Sequence, residues 1–482
     1  MQATPRDPWW SKQDSMTAST CVPLSRRRLW AALACALLAA CTASAEDVRP
    51  PSDKLYFPTG LAISPDEHVL FAANANSELR YDSGSISVID LDAVQPVIAA
   101  WVADSKTIPD GCSQDPDHRE TLTCDASLFI KANAGVRIGN FATDIAVQDF
   151  TGGNLRVLVP TRGDPSISWA DYNGQALSCV ASDEQFALCD DTHRLTTVRN
   201  DSTLGSIPNE PFSVFADSTN GYAVVTHQSL GAVTLIDSRA GADAQVVDIK
   251  AFLFAQDATT GIRAATGVAG RSPDSANDII YVGSRTEDRI QTFTVGRFGS
   301  DTFLLPSNYF FLDAVGANTG GSIDTRALQF SPSGGRMYVV NRNPPTLQIY
   351  DTTDTATGVP RNAATGASDI CREASTVSVL ANNQDATATV DNGGERAYVT
   401  CFQDGQIYVV DPHGQSKVED IITVGRGPYG IVAATGVNPA ANMQKQLFIS
   451  NFLEDTIAVV DVTPSSKTRN RVVLRIGVPR AP

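Results

Sequence analysis

The sequence predicts an all-β protein folded as a single β-propeller of seven blades, each with four antiparallel strands. Short runs of β-branched and aromatic residues alternate with Gly, Pro, Asn and Asp, and long amphipathic helical stretches are scarce. A group of such runs recurs along residues 55–480. The recurrence interval of about 50 to 80 residues is typical of propeller blades that carry insertions.

The units at the two ends of the propeller show the repeat most clearly. The first contains apolar runs at 60–64, 69–74 and 85–90, separated by turn residues. The last contains the same three runs between residues 428 and 461, and residues 471–477 are predicted to form its fourth strand. Because a closed ring buries the faces of its end blades against each other, these two units are expected to meet in space.

Five further units lie between them. Three regular copies occupy residues 211–237, 328–351 and 394–411, and two weaker copies occupy residues 145–171 and 279–295. The run at 166–171 decides the blade count, because without a third strand there the ring would hold six blades.

Several short segments carry a family resemblance. They are Tyr-Val-Val-Asn at 338–341, Ser-Pro-Asp at 64–66, third strands that end in Asp, and a strand at 421–425 that leads to Gly-Pro. With these, most of residues 55–480 resembles the YVTN family of β-propeller repeats. The resemblance implies that the first strand of each blade lines the central channel and that the fourth is outermost. It does not define a function, because the family includes lactonase-like enzymes, surface-layer proteins and uncharacterised envelope proteins.

Residues 1–40 are predicted to be a signal peptide of the bacterial lipoprotein type, with Met16 as an alternative start. Three arginines at 26–28 precede an apolar stretch at 29–38 that is too short to span a bilayer. The stretch ends in Leu-Ala-Ala-Cys, which resembles a lipobox and implies a lipidated Cys41 followed by a tether over residues 41–54.

The residue after Cys41 is Thr42 rather than Asp, which by the same resemblance favours the outer membrane. An ordinary signal peptidase site, Ala-Ser-Ala at 43–45, is the alternative and would release a periplasmic or secreted protein. The predicted location is therefore the cell envelope, with a periplasmic or secreted protein as the alternative, and a membrane is contacted through the lipid anchor only.

The cysteines agree with export. Setting aside Cys21, Cys35 and Cys41 leaves an even number, which fits an oxidising compartment: Cys112, Cys124, Cys179, Cys189, Cys371 and Cys401. Six cysteines allow 15 pairings, of which the pairing of sequence neighbours is the simplest. No Cys-x-x-Cys motif occurs, so neither a zinc site nor any other cofactor is predicted.

Acidic clusters near the first two cysteine pairs offer oxygen ligands that calcium accepts, although neither follows an ordered calcium-loop pattern. Their residues are Asp115, Asp117, Asp125, Asp183, Glu184, Asp190 and Asp191. The preferred reading is a solvated, disulfide-pinned loop, with calcium left open as a ligand.

The charge of the chain argues against nucleic-acid partners. The formal net charge is −16, and removing residues 1–40, which carry five basic and two acidic side chains, makes it −19. Such a surface repels phosphate backbones and anionic lipid headgroups.

Strong catalytic motifs are missing from the sequence. It contains no Gly-x-Ser-x-Gly, His-Glu-x-x-His, phosphate-binding Gly-x-x-x-x-Gly-Lys or Cys-x-x-Cys-His. His227 is the histidine placed to reach the rim of the ring. The aspartates that end third strands, Asp90, Asp171, Asp237, Asp351, Asp411 and Asp461, are predicted to cap turns rather than to form a cation-binding ring.

The best candidates for a ligand site lie just before or within first strands, because those strands face the channel. They are Tyr56, Asn140, Asp144, Glu210, Arg263, Asp324, Arg326, Asp385 and Arg426. Carboxylates and guanidiniums at one channel mouth could bind a polar ligand or position a general base, whereas the alternative is a set of solvated or paired rim residues.

The sequence therefore predicts a membrane-tethered envelope β-propeller that acts as a binding or scaffold module for a protein or glycan partner. The alternative is a lactonase-like hydrolase with its site at the channel mouth. No residue is assigned a catalytic role, and whether the protein is an enzyme is left open.

Overall fold

Seven antiparallel sheets follow one another along the chain and form a ring, as the computed structural model shows. The structure describes residues 48–481 except 151–152, 183, 272–278, 300, 314–322, 353–358, 361–365, 382–393, 414–415 and 438–444. The predicted signal peptide and Cys41 therefore lie outside the described residues. None of the helices in the described ranges is long and apolar enough to cross a membrane.

The first three blades are built as follows. Blade 1 contains β1 (Pro58–Ile63), β2 (Val69–Asn74) and β3 (Gly84–Asp90), then an insertion with α1 (Leu91–Ala103), β4 (Cys112–Gln114), β5 (Leu122–Cys124) and a 3-10 helix (Ala126–Leu128), and finally β6 (Val136–Ile138). Blade 2 contains β7 (Ala146–Phe150), β8 (Asn154–Thr161), β9 (Ser166–Tyr172) and β10 (Leu177–Ser178), with β11 (Arg194–Leu195) also paired to β9. After a 3-10 helix (Ser202–Leu204), blade 3 contains β12 (Pro211–Asp217), β13 (Tyr222–His227), β14 (Ala232–Asp237) and β15 (Gln245–Lys250).

The remaining four blades have four consecutive strands each. Blade 4 contains β16 (Ala265–Gly270), β17 (Ile279–Ser284), β18 (Arg289–Phe298) and β19 (Asp301–Phe311), and blade 5 contains β20 (Thr325–Phe330), β21 (Arg336–Arg342), β22 (Pro345–Asp351) and β23 (Gly366–Asp369). Blade 6 contains β24 (Ala374–Ala381), β25 (Glu395–Cys401), β26 (Gln406–Asp411) and β27 (Lys417–Thr423), and blade 7 contains β28 (Pro428–Ala434), β29 (Gln446–Asn451), β30 (Thr456–Asp461) and β31 (Arg471–Ile476). The predicted fold is confirmed, and β9 supplies the strand on which the count of seven depended.

The first strand of each blade is innermost, because it contacts the first strands of both neighbouring blades around the whole ring. The core of the described residues is divided into seven apolar clusters, each packed between adjacent blades. A single sheet would leave both apolar faces in water, so only the closed ring buries them all.

Hydroxyl groups on or next to the first two strands of the blades join neighbouring blades. Each donates a hydrogen bond to a carbonyl oxygen of the next blade in the ring: Thr59 to Ala142 (3.1 Å), Thr143 to Phe212 (2.6 Å), Thr226 to Thr266 (2.5 Å), Thr266 to Thr325 (2.7 Å), Thr400 to Tyr429 (3.2 Å) and Ser450 to Thr59 (2.6 Å). The blades approach so closely that a Cβ on Gly430 would lie 2.2 Å from the Thr59 carbonyl oxygen. Only glycine fits there.

Blades 7 and 1 meet, as the sequence predicts. The Phe57 amide donates a hydrogen bond to Asp455 Oδ1 (2.7 Å), and the Arg480 guanidinium lies 4.6 Å from the centre of the Phe57 ring. The blade 1 insertion strengthens this junction in a way that the sequence did not reveal, since β5 pairs in parallel with β31 and extends the sheet of blade 7 to six strands.

Three disulfides join the cysteines that are neighbours in sequence: Cys112 with Cys124, Cys179 with Cys189, and Cys371 with Cys401. This confirms the simplest of the pairings. The first disulfide joins β4 to β5 and so ties together the hairpin that extends blade 7.

Candidate functional site

A cavity of about 510 Å3 opens at the end of the central channel where the first strands begin. We call it the mouth cavity. All seven blades contribute to its lining: Gly60, Leu61, Thr143, Asp144, Arg162, Phe212, Ser213, Gln228, Arg285, Arg326, Ala327, Arg342, Glu373, Ser375, Thr376, Phe402, Gln403, Tyr429, Gly430 and Ile431. Its volume lies within the range of about 300 to 1,000 Å3 that is common for small-molecule sites.

Local irregularities in the inner strands create this lining. Strands β1, β12, β16, β20, β24 and β28 each show a register shift within their first few residues. Such bulges redirect side chains and are common next to functional sites. In blades 3, 5 and 7 the shifted segments carry Phe212, Ser213, Arg326 and Tyr429, which line the cavity.

Four arginines converge on the mouth cavity: Arg162 from blade 2, Arg285 from blade 4, and Arg326 and Arg342 from blade 5. Desolvation, together with the positive charge of the neighbouring Arg326, lowers the pKa of Arg342. The guanidiniums of Arg326 and Arg342 are therefore close enough to repel each other.

Three of these arginines have carboxylate partners. Arg162 pairs with Glu210 (2.8 Å), Arg326 with Asp324 (2.8 Å) and Arg342 with Glu373 (3.1 Å). The fourth, Arg285, forms no ion pair within the described residues. It therefore lines the cavity without an ion-pair partner, although its positive charge helps to lower the pKa of Asp257.

Asp144 is the carboxyl group that blade 2 contributes to the lining of the mouth cavity. One of its oxygens accepts hydrogen bonds from the Ser213 hydroxyl (2.7 Å) and the Val214 amide (3.0 Å), and the other accepts one from the Ile145 amide (2.9 Å). Burial nevertheless raises the pKa of Asp144, because desolvation outweighs these donors. An acid of this kind can exchange a proton with a bound ligand.

Tyr429 brings a phenol to the same cavity from blade 7. Burial raises its pKa to about 12, the negative charge of Asp144 acts in the same direction, and Arg162 acts in the opposite direction. The phenol thus remains a protonated hydrogen-bond donor. Its ring packs beside Phe402 and Phe452, with centroid distances of 6.5 Å and 6.4 Å.

The structure brings four of the sequence candidates together. Asp144 and Arg326 line the mouth cavity, and Glu210 and Asp324 hold arginines that line it. Each of the two partner carboxylates directly precedes a first strand, as the sequence argument required.

The other described candidates do not line the mouth cavity. Tyr56 is buried against Tyr81 (5.0 Å), Asn140 accepts a hydrogen bond from Asn76 (2.7 Å), Arg263 donates to the Phe254 carbonyl (2.8 Å), and Arg426 donates to Glu454 (3.4 Å) and to the Arg480 carbonyl. All four residues precede first strands and form contacts within the protein instead. Asp385 lies outside the described residues, and the first strand of blade 6 is β24, directly preceded by Glu373 rather than by a residue near 385.

Sequence reasoning missed the residues that end second strands. Arg162, Gln228, Arg285 and Phe402 each follow a second strand directly, and Arg342 is the last residue of one. Because the second strand runs antiparallel to the first, its end reaches the mouth at which the first begins. Polar or aromatic residues at the last position of a second strand, or directly after it, could therefore have been predicted to line the mouth.

His227 and two residues of the acidic clusters, Asp115 and Asp125, form contacts within the protein. His227 is buried at the end of β13, bonds to the Thr234 hydroxyl (2.8 Å), and has a pKa that burial lowers to about 4. Asp115 pairs with Arg475 (2.7 Å), and Asp125 caps a 3-10 helix. Among the described residues, no cluster of three or more His, Cys, Asp or Glu is arranged to hold a metal ion.

Fold and site together define a seven-bladed β-propeller with a cationic mouth cavity. A protein of Lactobacillus plantarum has a similar structure, with a TM-score of 0.52 and 14% identity over 88% of this chain and 96% of that chain. A putative 6-phosphogluconolactonase from Bacteroides fragilis gives a TM-score of 0.52 and 10% identity over 88% of this chain and 97% of that chain. At these identities the likeness shows the fold alone. No family model and no curated protein matches the sequence, so the YVTN resemblance stays a prediction.

Proposed function

We propose that this chain is an extracytoplasmic β-propeller that binds a small anionic ligand in the mouth cavity and serves as a binding module of the cell envelope. The observation that carries the proposal is the convergence of four guanidiniums on the cavity, of which Arg285 has no ion-pair partner among the described residues. A bound anion would pair with Arg285, and guanidiniums are suited to carboxylate and phosphate groups.

Of the two partner classes that the sequence suggests, a glycan with acidic groups suits this cavity better than a protein. The cavity has the size of a small-molecule site, and polar side chains from blades 2 to 7 line it. The local positive charge also contrasts with the net charge of −16 of the whole chain, which favours a ligand that is selected at the cavity rather than attracted over a long range.

The direct test is a calorimetric titration of the purified propeller with acetate, inorganic phosphate and D-gluconate at low ionic strength. We expect saturable binding of at least one of these anions, weakened about tenfold or more by Arg285→Gln because a charged hydrogen bond is lost. Arg239→Gln is the matched control, since Arg239 is exposed and pairs with Asp237 away from the cavity. The proposal fails if no anion binds or if both variants bind like the parent.

The second candidate function is hydrolysis of a sugar lactone, and Asp144 is the observation that favours it. Water would add to the lactone carbonyl carbon while Asp144 takes its proton, and the ring oxygen would receive a proton when the C–O bond breaks. Tyr429 and the arginines would stabilise the negative oxygen of the intermediate. The Bacteroides fragilis structure, named a putative 6-phosphogluconolactonase, is compatible with this candidate through its fold.

A pH-stat assay on D-glucono-δ-lactone separates binding from catalysis. If the protein is a hydrolase, acid release exceeds the spontaneous rate and falls about 100-fold or more in Asp144→Asn, whereas the exposed Asp301→Asn control retains the parent rate. A parent rate equal to the spontaneous rate would reject hydrolysis of this lactone and leave the binding proposal intact.

Export and the lipid anchor rest on different grounds. The three disulfides support an oxidising compartment, and the lipobox-like segment supports a diacylglycerol on Cys41 in the outer membrane. Mass spectrometry of the mature N-terminal peptide tests the anchor. A lipid-modified Cys41 is expected, and an unmodified N-terminus at Glu46 would contradict it.

A further inference from the structure

We infer that the ligand of the mouth cavity is a sugar acid in its ring form, with the ring against the aromatic side of blades 6 and 7 and the acid group toward the arginines of blades 4 and 5. This inference rests on the proposed anion-binding function and adds the class of molecule that carries the anion. The shared chemistry is a pyranose ring with one acidic substituent, either a carboxylate or a phosphate.

The aromatic side of the cavity is a continuous cluster. Phe402 follows the second strand of blade 6, and Tyr429 lies in the shifted segment of the first strand of blade 7. Phe452 packs behind both, with centroid distances of 6.1 Å to Phe402 and 6.4 Å to Tyr429, and Phe57 extends the cluster at 5.4 Å from Phe452.

Phe402 and Tyr429 line the cavity while remaining only half-buried, so part of each ring faces the cavity. Half-exposed aromatic rings supply a flat apolar surface for another ring, and the polar tip of Tyr429 adds a hydrogen-bond donor. A simple inorganic anion would leave this surface unused.

Neutral polar groups occupy the space between the aromatic and cationic sides. Gln228, Ser375 and Gln403 line the cavity, and their side chains make no hydrogen bonds within the described residues. Amides and hydroxyls can both donate and accept, as sugar hydroxyls can. These groups can therefore bind the hydroxyls of a sugar as well as an acid group.

The acid group is assigned to blades 4 and 5 because three of the four cavity arginines lie there, including Arg285, which has no ion-pair partner among the described residues. Arg326 and Arg285 lie near Arg342, since the positive charge of each helps to lower its pKa. The Nε atoms of Arg326 and Arg342 are buried and have no hydrogen-bond partner among the described residues. Blades 6 and 7 follow blade 5 around the propeller, so one small ligand can contact the aromatic side with its sugar ring and the arginines with its acid group.

The experiment compares ligands that carry the ring, the acid group or both. Calorimetric titrations would use D-glucuronate and D-glucose 6-phosphate as ring acids, methyl β-D-glucoside as a ring without acid, D-gluconate as an open-chain acid, and inorganic phosphate and acetate as acids without a sugar skeleton. We expect at least one ring acid to bind about tenfold or more tightly than every other probe. The preferred ring acid identifies the acidic substituent.

Two variants locate the ring. Phe402→Leu should weaken the preferred ring acid about fivefold or more while leaving the affinity for inorganic phosphate within about twofold, because only the aromatic surface is lost. Tyr429→Phe keeps the ring and removes the donor, so it should weaken the ring acid less. Saturation-transfer NMR on the parent gives a readout without substitutions, since the axial C–H protons of the sugar should receive the strongest transfer.

The outcomes separate this inference from the proposal beneath it. If open-chain or inorganic anions bind as tightly as the ring acids, or if Phe402→Leu weakens phosphate and ring acid equally, the ring inference is wrong while anion binding stands. If methyl β-D-glucoside binds as well as the acids and Arg285→Gln has no effect, the cavity is a neutral sugar site and both fail. If no probe binds, both fail as well.

Discussion

The carboxylate of Asp144 in blade 2 accepts a hydrogen bond of 2.7 Å from the Ser213 hydroxyl in blade 3. This contact places a buried acid across a blade boundary and fixes its position beside the arginines of the mouth cavity. Asp144 thus contributes a carboxyl group to the site. Because burial raises its pKa, the ionised form of Asp144 destabilises the folded propeller.

The first prediction concerns the pH dependence that Asp144 imposes on stability. A folded-state pKa above the unfolded value means that the folded protein binds more protons, so stability from this group is present at low pH and is lost as pH rises through the folded pKa. We expect Asp144→Asn to gain stability relative to the parent as the pH rises above the unfolded value of about 4, measured by denaturant unfolding. Parallel curves for parent and Asp144→Asn would contradict the assignment.

His227 predicts the opposite dependence. Its pKa falls from 6.5 to about 4 on folding because it is buried, so the unfolded state takes up a proton first as the pH decreases. Stability from neutral His227 is present above pH 6.5 and is lost toward pH 4, by about 3 kcal/mol. We expect the parent to lose this amount relative to His227→Gln between pH 7.5 and 4. An unchanged difference between parent and His227→Gln would count against the depressed pKa.

The fold was predictable because its signals are local. Apolar runs with a period of two, separated by turn residues, define the first three strands of most blades. Short fourth strands such as β6 and β10 carry little signal of their own. The pairing of β5 with β31 could not be predicted, since it joins residues about 350 positions apart through a parallel contact that no local pattern marks.

The aspartates that end third strands also show that local sequence does not identify every contact. The sequence predicts that each of them caps a turn. Asp90, Asp411 and Asp461 accept hydrogen bonds from backbone amides two residues ahead, as turn caps should. Asp171 instead binds the buried guanidinium of Arg156 at 2.7 Å and 2.9 Å. Its role depends on a partner from β8, so spacing along the chain could not distinguish it from the others.

The site was predicted in part for a comparable reason. Its location at the channel mouth and the residues Asp144 and Arg326 follow from first strands facing the channel. The arginines that end second strands were missed because their importance appears only when antiparallel neighbours are placed side by side. Register shifts at the starts of inner strands then decide which candidates face the cavity.

A third prediction concerns Glu67, which joins blade 1 to blade 7. Its buried carboxylate accepts four hydrogen bonds, from the amide (2.6 Å) and hydroxyl (2.8 Å) of Thr435 and from the amides of Gly436 (3.0 Å) and Val437 (3.0 Å). Glu67→Gln turns an NH2 group toward some of these donors and should lower the free energy of unfolding by about 2 to 3 kcal/mol. Denaturant unfolding measures this loss.

Glu184→Gln is the matched control for Glu67. Glu184 is half exposed and pairs with Arg49 at 3.3 Å, so its replacement should change the free energy of unfolding by less than about 1 kcal/mol. Equal effects of the two substitutions would show that the Glu67 carboxylate is not a specific contact between the blades.

The last prediction concerns the insertion that extends blade 7. Asp115 in the insertion pairs with Arg475 on β31 at 2.7 Å, and both side chains are about nine-tenths buried, with exposures of 11% and 10%. Asp115→Ala leaves the guanidinium buried without its partner and should cost about 3 kcal/mol of unfolding free energy. Asp301→Ala removes the partner of Arg199 at an exposed pair of similar distance, 2.9 Å, and should cost less than about 1 kcal/mol. Loss of this ion pair should weaken the pairing of β5 with β31. Amide hydrogen exchange at residues 471–476 should therefore also become faster in Asp115→Ala and not in Asp301→Ala. Unchanged exchange there would show that the insertion does not stabilise the junction between the last blade and the first.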